Sequence, residues 1–405
     1  MSESTGIHAQ LRRTHEARVL AALGERGAMS RAQIAQQVGL SRTTTSEIAA
    51  DLLARGAIVV AATDADTRLG SGRPAEYLAL DPAAGQFVGV DFGHQRVHVA
   101  IADASHAIVA SGTATYSAET PWPERIAAAI DLIEREARRT GTHLDAIQGV
   151  GIGVPGPYPP PRSPGSQAFA PRVPPGVEDA FLERFGVSVL VKNNTRFAGL
   201  AEAILAGAEN VRDLLYLRIG DGVGGAVIVD GHLVSGSAGL AGEFGHVSVA
   251  PDGAVCRCGK TGCLETVASL PAILESCRAA GANVASIDDL AAAVESGNPA
   301  VDRVLRSVGT TIGRVLAGVA MVVNPSEVVV AGQAGRVAPA IIEAVAQTLK
   351  FELSPIAETV PNVRGAHLGD VGGAHGAIAA LYRTDLLPAA GSQPVHRSVH
   401  PRMGA

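Results

Sequence analysis

Four potential metal ligands lie close together in the middle of the chain, with the spacing H-x9-C-x-C-x4-C. They are His246, Cys256, Cys258 and Cys263. One imidazole and three thiolates complete a tetrahedral zinc site, so the predicted zinc is structural and leaves no open position for catalysis. Three of the chain's four cysteines fall within eight residues, beside glycines, which favours metal binding. The alternative is a set of buried, reduced thiols.

Two acidic residues flank these ligands. Glu243 precedes the histidine by three positions, and Glu265 follows the last cysteine by two. Carboxylates and an imidazole can exchange hydrogen bonds with several sugar hydroxyls at once, so this stretch is a candidate sugar site. Glu265 also begins a predicted helix, LETVASL, where a negative charge is favourable in any case. Both interpretations can hold together.

The segments GEFGH at 242–246 and CRCGKTGCLE at 256–265 resemble the signature of the ROK family. This family contains bacterial sugar kinases and sugar-responsive repressors, and the resemblance extends over nearly the whole chain. It implies that Glu243, His246 and Glu265 line a sugar pocket and that His246 also binds the zinc.

Composition restricts the class of protein. The chain has 405 residues, 47% hydrophobic and 18% charged, which is typical of globular domains rather than disorder. Its net charge of −6 excludes a uniformly basic nucleic-acid coat. The N-terminus lacks an apolar signal segment, and the longest apolar stretch, 315–330, is interrupted by Asn324, Pro325 and Glu327. We therefore expect no membrane span, and clustered cysteines without a signal predict a reducing cytoplasm.

Residues 14–80 predict a winged helix-turn-helix. A first helix ends at Gly27, and Ser30 with Gln33 forms a capping-box pattern for the second. Gly39 supplies the turn, and Ser41 caps a third helix, SRTTTSEIAADLLARG. Two further stretches, 57–61 and 76–80, are predicted wing strands.

The third helix is the predicted DNA-recognition helix. We expect the residues of its first turn to face a major groove: Ser41, Arg42, Thr43, Thr44 and Thr45. Hydroxyl side chains can bind phosphates or base edges, and an arginine can bind guanine. Residues 1–80 hold nine arginines, no lysine and eight acids, a net charge of 9 − 8 = +1. A protein-interaction module is the alternative, and DNA binding at this low charge favours a dimer.

A Gly-Arg-Pro sequence follows the wing at residues 72–74. It resembles a minor-groove hook, in which Arg73 enters a narrow groove, and ROK repressors carry GRP at this place. An ordinary flexible linker is the alternative.

From Gln86 the chain resembles the opening hairpin of the actin-like, hexokinase-type (ribonuclease H-like) fold. Asp91 and Gly93 match the first phosphate-contacting turn, which reads DxGGT in the family's kinases, but His94 and Gln95 replace its second glycine and threonine. A histidine there obstructs close approach of backbone amides to phosphate. Asp221 in the second such turn would repel a phosphate. The adenosine-side segment around Gly332 is also poorer in glycine than in the kinases, so ATP is not expected as a cofactor.

The pair Asn193-Asn194 stands where ROK kinases have Asn-Asp, and the kinase aspartate deprotonates the attacking sugar hydroxyl. An amide cannot take that proton, and loss of a general base commonly costs roughly 10²- to 10⁴-fold in rate. The resemblance therefore implies a pocket that binds sugar through Asn193 and Asn194 without phosphorylating it. Arg196 replaces the family's usual asparagine, and it adds a positive charge near the predicted pocket.

The predicted architecture is α/β, with a winged helix-turn-helix followed by a two-lobed ROK body. Its parts are a flexible N-terminus (1–13), the DNA-binding domain with linker (14–80), a first lobe (81–195), a second lobe with the zinc loop (196–387) and a disordered tail (388–405).

This organisation predicts a sugar-responsive transcriptional regulator, a repressor without enzymatic activity. We expect it to bind an inverted-repeat operator as a homodimer or dimer of dimers. One alternative is an active sugar kinase with a fused DNA-binding module. Another is a docking platform for a sugar-transport protein, without a small-molecule effector.

Overall fold

The computed structural model describes residues 15–383, apart from residues 17, 25, 55–56, 64–75, 82–85, 104–106, 143, 145–146, 157–175 and 206–210. The predicted hook at Arg73, the proline-containing stretch 158–175, the N-terminal segment 1–13 and the tail 388–405 lie outside these residues.

The N-terminal domain packs three helices against a small antiparallel sheet. Its elements are α1 (described at residues 15–16, 18–24 and 26), β1 (Met29–Ser30), α2 (Arg31–Val38), α3 (Arg42–Ala54), β2 (Ile58–Thr63) and β3 (Glu76–Leu80), with strand order β1-β3-β2. The predicted capping box is present, because Ser30 accepts from the Gln33 backbone and Gln33 accepts from the Ser30 backbone. Gly39 ends α2 with a φ of 63°, a left-handed conformation that favours glycine. The predicted winged helix-turn-helix is therefore confirmed.

The first half of the body contains a five-stranded mixed sheet with the order β6-β5-β4-β7-β8. Its elements are β4 (Gln86–Phe92), β5 (Arg96–Asp103), β6 (Ile108–Thr115), α4 (Trp122–Thr140), β7 (Ile147–Val154), α5 (Val177–Phe185) and β8 (Ser188–Asn193). The hairpin strands pair antiparallel, whereas β4, β7 and β8 pair parallel. Every residue of β4 is buried, as expected for a central strand covered on both faces.

The second half repeats the same order of antiparallel and parallel pairs in the sheet β11-β10-β9-β12-β13. Its strands are β9 (Leu214–Ile219), β10 (Val223–Val229), β11 (His232–Leu233), β12 (Glu327–Ala331) and β13 (Asn362–Gly365). Its helices are α7 (Glu265–Ala268), α8 (Leu270–Ala279), α9 (Ile287–Glu295), α10 (Pro299–Val323), α11 (Gly332–Val337) and α12 (Pro339–Leu353). This repetition confirms the expected two-lobed, sugar-kinase-like body.

Two helices lie between the sheets: α6 (Asn194–Leu205) and α13 (Gly372–Arg383). Helix α13 covers the inner face of the first sheet, and α6 packs on the second sheet. The two helices approach closely, because a β-carbon on Gly376 would overlap the carbonyl oxygen of Phe197. A β-carbon on Gly89 of β4 would likewise overlap the carbonyl of Ala374. Both glycines are needed for this packing.

Among the described residues, α10 alone is long and apolar enough to cross a membrane by length and composition. Its buried face includes Val301, Leu305, Ile312 and Leu316, and it packs into the core of the second lobe beside α12. This burial is typical of the core helix of a globular domain.

Candidate functional site: a zinc loop beside two paired carboxylates

The four predicted metal ligands converge in the loop between β11 and α7. Their candidate ligand atoms all lie within 4.8 Å of one another. Cys256 Sγ is 3.7 Å from His246 Nδ1, and Cys258 Sγ is 3.6 Å from Cys263 Sγ. Ligand atoms at the corners of a tetrahedral zinc site are roughly 3.5–3.8 Å apart, given Zn–S and Zn–N bonds of about 2.3 and 2.0 Å. The residues therefore fit a zinc ion, while the fourth cysteine, Cys277, is buried in the core of the second lobe.

Tight backbone turns bring these ligands together. Isolated bridges join Ser248 to Cys263 and Val255 to Thr261, so the loop folds back on itself. Gly262 has a φ of 66°, and a β-carbon there would overlap the backbone of Ala250. Burial raises the pKa of the Cys263 thiol to about 12, so a metal ion must displace the proton from this sulfur.

Glu243 lies directly before a 3-10 turn that carries His246, and it is held by an arginine. Arg196 Nη2 is 3.2 Å from Glu243 Oε1, and the same nitrogen donates to the carbonyl of Gly239. The Arg196 side chain is only 3% exposed, and its Nε has no hydrogen-bond partner among the described residues. Burial raises the pKa of Glu243, and the attraction of Arg196 opposes this shift.

Glu265 is the first residue of α7 and is also held by an arginine. Arg257, between two cysteine ligands, places Nε 2.6 Å from Oε1 and Nη2 2.6 Å from Oε2 of this carboxylate. The backbone N–H of Val223 donates to Oε2 over 3.0 Å. The predicted helix LETVASL is interrupted at Ser269, which is extended and separates α7 from α8.

Asn193 and Asn194 sit where β8 runs into α6, and their side chains bind backbone and side-chain groups of the protein. Asn193 Nδ2 donates to the carbonyl of Gly156 over 2.6 Å, and its Oδ1 accepts from the backbone of Arg196. Asn194 Nδ2 donates to both Asp91 Oδ1 and the Phe92 carbonyl, each over 3.0 Å. An aspartate at this position would have no N–H to donate and would face a second carboxylate. The partnership with Asp91, 103 residues earlier in the chain, could not be found from the motif alone.

The first phosphate turn is also connected internally. Arg96, which follows the turn residues His94 and Gln95, forms an ion pair with Asp370 at 2.5 Å, and Arg336 of α11 lies 3.5 Å from the same carboxylate. The hydrogen bond from Arg96 lowers the pKa of Asp370. Asp370 lies in the 3-10 turn before α13, so its carboxylate links Arg96 of β5 in the first lobe to Arg336 of α11 in the second. The turn residues His94 and Gln95 are exposed, as is Asp221 in the second turn.

The first turn of the predicted recognition helix, α3, has the expected exposed or partly exposed side chains at all but one position. Arg42 and Thr43 are exposed, and Ser41 accepts a hydrogen bond from the Thr44 backbone as the predicted cap. Thr45 is fully buried, which corrects the expectation that it faces DNA. The reason is helical spacing: position 45 lies on the same stripe as the buried Ile48, Ala49 and Leu52. Exposed Ser46, four residues after Arg42, was missed, although the i, i+4 rule identifies it.

The fold and the site define a class of protein that joins a winged helix-turn-helix to a sugar-kinase-like body, in which one histidine and three cysteines of a single loop could hold a metal ion. The chain belongs to the ROK family, whose profile matches residues 87–384, and a MarR family profile matches residues 9–69.

Two named repressors are similar to this chain in sequence, and a solved structure is similar to it in fold. The chain is 28% identical over 274 residues to a xylose repressor of Caldicellulosiruptor bescii, covering 66% of this chain and 67% of that protein. It is 27% identical over 347 residues to an N-acetylglucosamine repressor of Escherichia coli, covering 80% and 81%. A crystal structure of a ROK family transcriptional regulator, a homologue of the E. coli Mlc protein, superposes with a TM-score of 0.72 at 22% identity. That alignment covers 92% of this chain and 97% of the other, and it shows the shared fold.

Proposed function

We propose that this protein is a sugar-responsive, DNA-binding transcriptional repressor that acts in the cytoplasm. The observation that carries the proposal is the union, in one chain, of a winged helix-turn-helix with a ROK body whose catalytic position is Asn194. The names of the two relatives support it, since one is a xylose repressor and the other an N-acetylglucosamine repressor.

The ROK body is proposed to bind its effector without phosphorylating it. Asn194 cannot accept a proton and instead donates to Asp91. Arg96, the cation directly after the first phosphate turn, is already paired with Asp370. These two engaged groups argue against ATP as a cofactor and against the alternative of an active sugar kinase.

Sugar binding is proposed to involve the acids beside the zinc loop, Glu243 and Glu265, with Asn193, Asn194 and His246. Zinc held by His246 and the three cysteines would fix the backbone on which both acids depend. Its role is structural, because four protein ligands leave no position for substrate.

The DNA-binding surface is proposed to comprise the exposed start of α3, with Arg42 and Thr43, and the hook at Arg73. A single such domain of net charge +1 has few phosphate contacts, so the operator is proposed to be an inverted repeat bound by a dimer.

The test is selection of DNA duplexes from a random pool by the purified, zinc-loaded chain, followed by affinity measurement on the selected sequence. Xylose, N-acetylglucosamine and glucose serve as effector probes, each with and without ATP in a coupled phosphorylation assay. An inverted repeat whose affinity changes with one sugar, without phosphorylation, is the expected result. Phosphorylation of a probe at a substantial rate would instead favour the kinase alternative. Operator binding that no sugar alters would favour the docking platform.

A further inference from the structure

The two carboxylates of the proposed sugar site differ in how their arginine partners are placed. Arg196 is enclosed, with a side chain 3% exposed, and it cannot leave Glu243 without rearrangement of α6. Arg257 projects from the zinc loop with a side chain 45% exposed, whereas the Glu265 side chain that it binds is 8% exposed. In the second pair, therefore, the acid is fixed and the arginine can turn out to water.

The bonds to Glu265 occupy the acceptor positions that a sugar would need. A carboxylate has about four lone-pair sites. Three are taken by Arg257 Nε, Arg257 Nη2 and the Val223 backbone, and Cys256 Sγ lies 3.8 Å from Oε1. The Arg257–Glu265 pair also packs directly against the backbone turn at Gly222, since a β-carbon on this glycine would overlap both the guanidinium and the carboxylate.

We infer that Arg257 is an internal competitor that sets the affinity of the effector site. A sugar hydroxyl binds Glu265 by displacing the guanidinium, which moves to solvent while the carboxylate stays on α7 and Val223. The inference rests on the proposed function, because it assumes that Glu265 binds the sugar. It makes Arg257 a determinant of affinity, in contrast to Arg196, which holds Glu243 in place.

A positioning role and a competing role for Arg257 predict changes of opposite sign in sugar affinity when the arginine is removed. If the arginine positions Glu265 for sugar, its removal weakens sugar binding; if it competes, its removal strengthens it. Ionic strength separates the two roles further. Salt weakens a half-exposed ion pair, so competition predicts that the wild-type protein binds a neutral sugar more tightly as salt rises.

The experiment is calorimetric titration of the full zinc-loaded chain with xylose, N-acetylglucosamine and glucose at 50 and 300 mM salt. The two salt concentrations correspond to Debye screening lengths of roughly 14 and 6 Å, so the ion pair is screened appreciably more at the higher one. Arg257→Gln should bind the recognised probe roughly 3- to 10-fold more tightly than wild type, since it removes a charged, two-point competitor. Its affinity should no longer rise with salt. Arg257→Lys keeps the charge but loses the two-point geometry, so its sugar affinity should lie between those of the wild type and Arg257→Gln.

Arg278→Gln is the matched control, because it removes an exposed positive charge from α8 in the same lobe. It should bind the probe as wild type does. Zinc content is measured for every variant, and if Arg257→Gln loses zinc, Arg257→Lys and the wild-type salt dependence decide the matter.

Equal or weaker binding by Arg257→Gln with zinc retained would overturn the competitor role and leave the proposed function intact. Binding of no probe by either the wild type or the variant would overturn both.

Discussion

Replacement of Glu243 by alanine should destabilise the body of the protein, quite apart from any loss of sugar binding. The reason is Arg196: of the partners that the described residues offer its buried guanidinium, the Gly239 carbonyl alone would remain. Its Nε already has no partner among the described residues, so the variant would contain a buried and largely unpaired cation.

The size of the effect follows from burial. Removing one partner of a buried ion pair typically costs about 3–5 kcal/mol. The Glu243 side chain is 18% exposed, so water can replace part of the lost interaction. We therefore expect Glu243→Ala to lower the free energy of unfolding by about 2–3 kcal/mol. Glu243→Gln keeps an acceptor oxygen for Arg196 and should cost about 1 kcal/mol.

The assay is urea denaturation of the zinc-loaded wild type, Glu243→Ala, Arg196→Met and the double variant. Methionine is apolar and can fill much of the space of the arginine stem, so the double variant contains neither charge. It should be more stable than Glu243→Ala alone, because replacing both members of a buried pair is often neutral.

A change below about 0.5 kcal/mol for Glu243→Ala, or costs that simply add in the double variant, would refute the buried-pair reasoning. Zinc is measured in parallel, since Glu243 lies three residues before the ligand His246. Glu243→Gln is consequently the better variant for testing whether this acid senses sugar.

Four other outcomes are expected. Purified protein should contain about one zinc per chain by metal analysis, and Cys258→Ser should lower both zinc content and sugar affinity; a metal-free wild type would contradict the site. Asn194→Asp should not restore phosphorylation. Relative to the wild type, it should lose stability as pH rises above about 4, the ordinary pKa of an aspartate, because the neighbouring Asp91 disfavours its charged form; a stability difference from the wild type that does not change with pH would count against this contact. Arg42→Ala should weaken discrimination among DNA sequences by about 1–3 kcal/mol in competition binding, whereas an unchanged footprint and sequence preference would mean that the recognition surface is elsewhere. A saturating effector sugar should lower operator affinity roughly 5- to 150-fold, and operator DNA should lower sugar affinity by the same factor; unchanged operator affinity despite proven sugar binding would show that the domains are not coupled.

Local features of the sequence predicted local structure well. The capping residues Ser30 and Ser41 act within three residues of their partners, so their roles are visible from spacing alone. The convergence of His246 with three cysteines was predictable for the same reason, since eighteen residues of glycine-containing loop hold all four.

Partners from distant parts of the chain were not predictable. Nothing near Asn194 indicates that its amide donates to Asp91, and the sequence places the charge of Arg196 near the pocket without indicating that it pairs with Glu243. Both contacts depend on how α6 lies between the two sheets, which is a property of tertiary packing. The burial of Thr45 is different, because the helical stripe of apolar residues already contained that information.

The position of α13 has a consequence for how the chain is made. The inner face of the first sheet, completed in sequence at Asn193, is covered by a helix that begins only at Gly372. During translation the winged helix-turn-helix can fold as soon as it leaves the ribosome, whereas the first lobe must wait for nearly the whole polypeptide. A product truncated after α12 would thus retain a DNA-binding head on a body with an uncovered sheet, prone to aggregation and degradation. The DNA-binding domain would therefore persist in the cell only as part of a chain whose ROK body is complete.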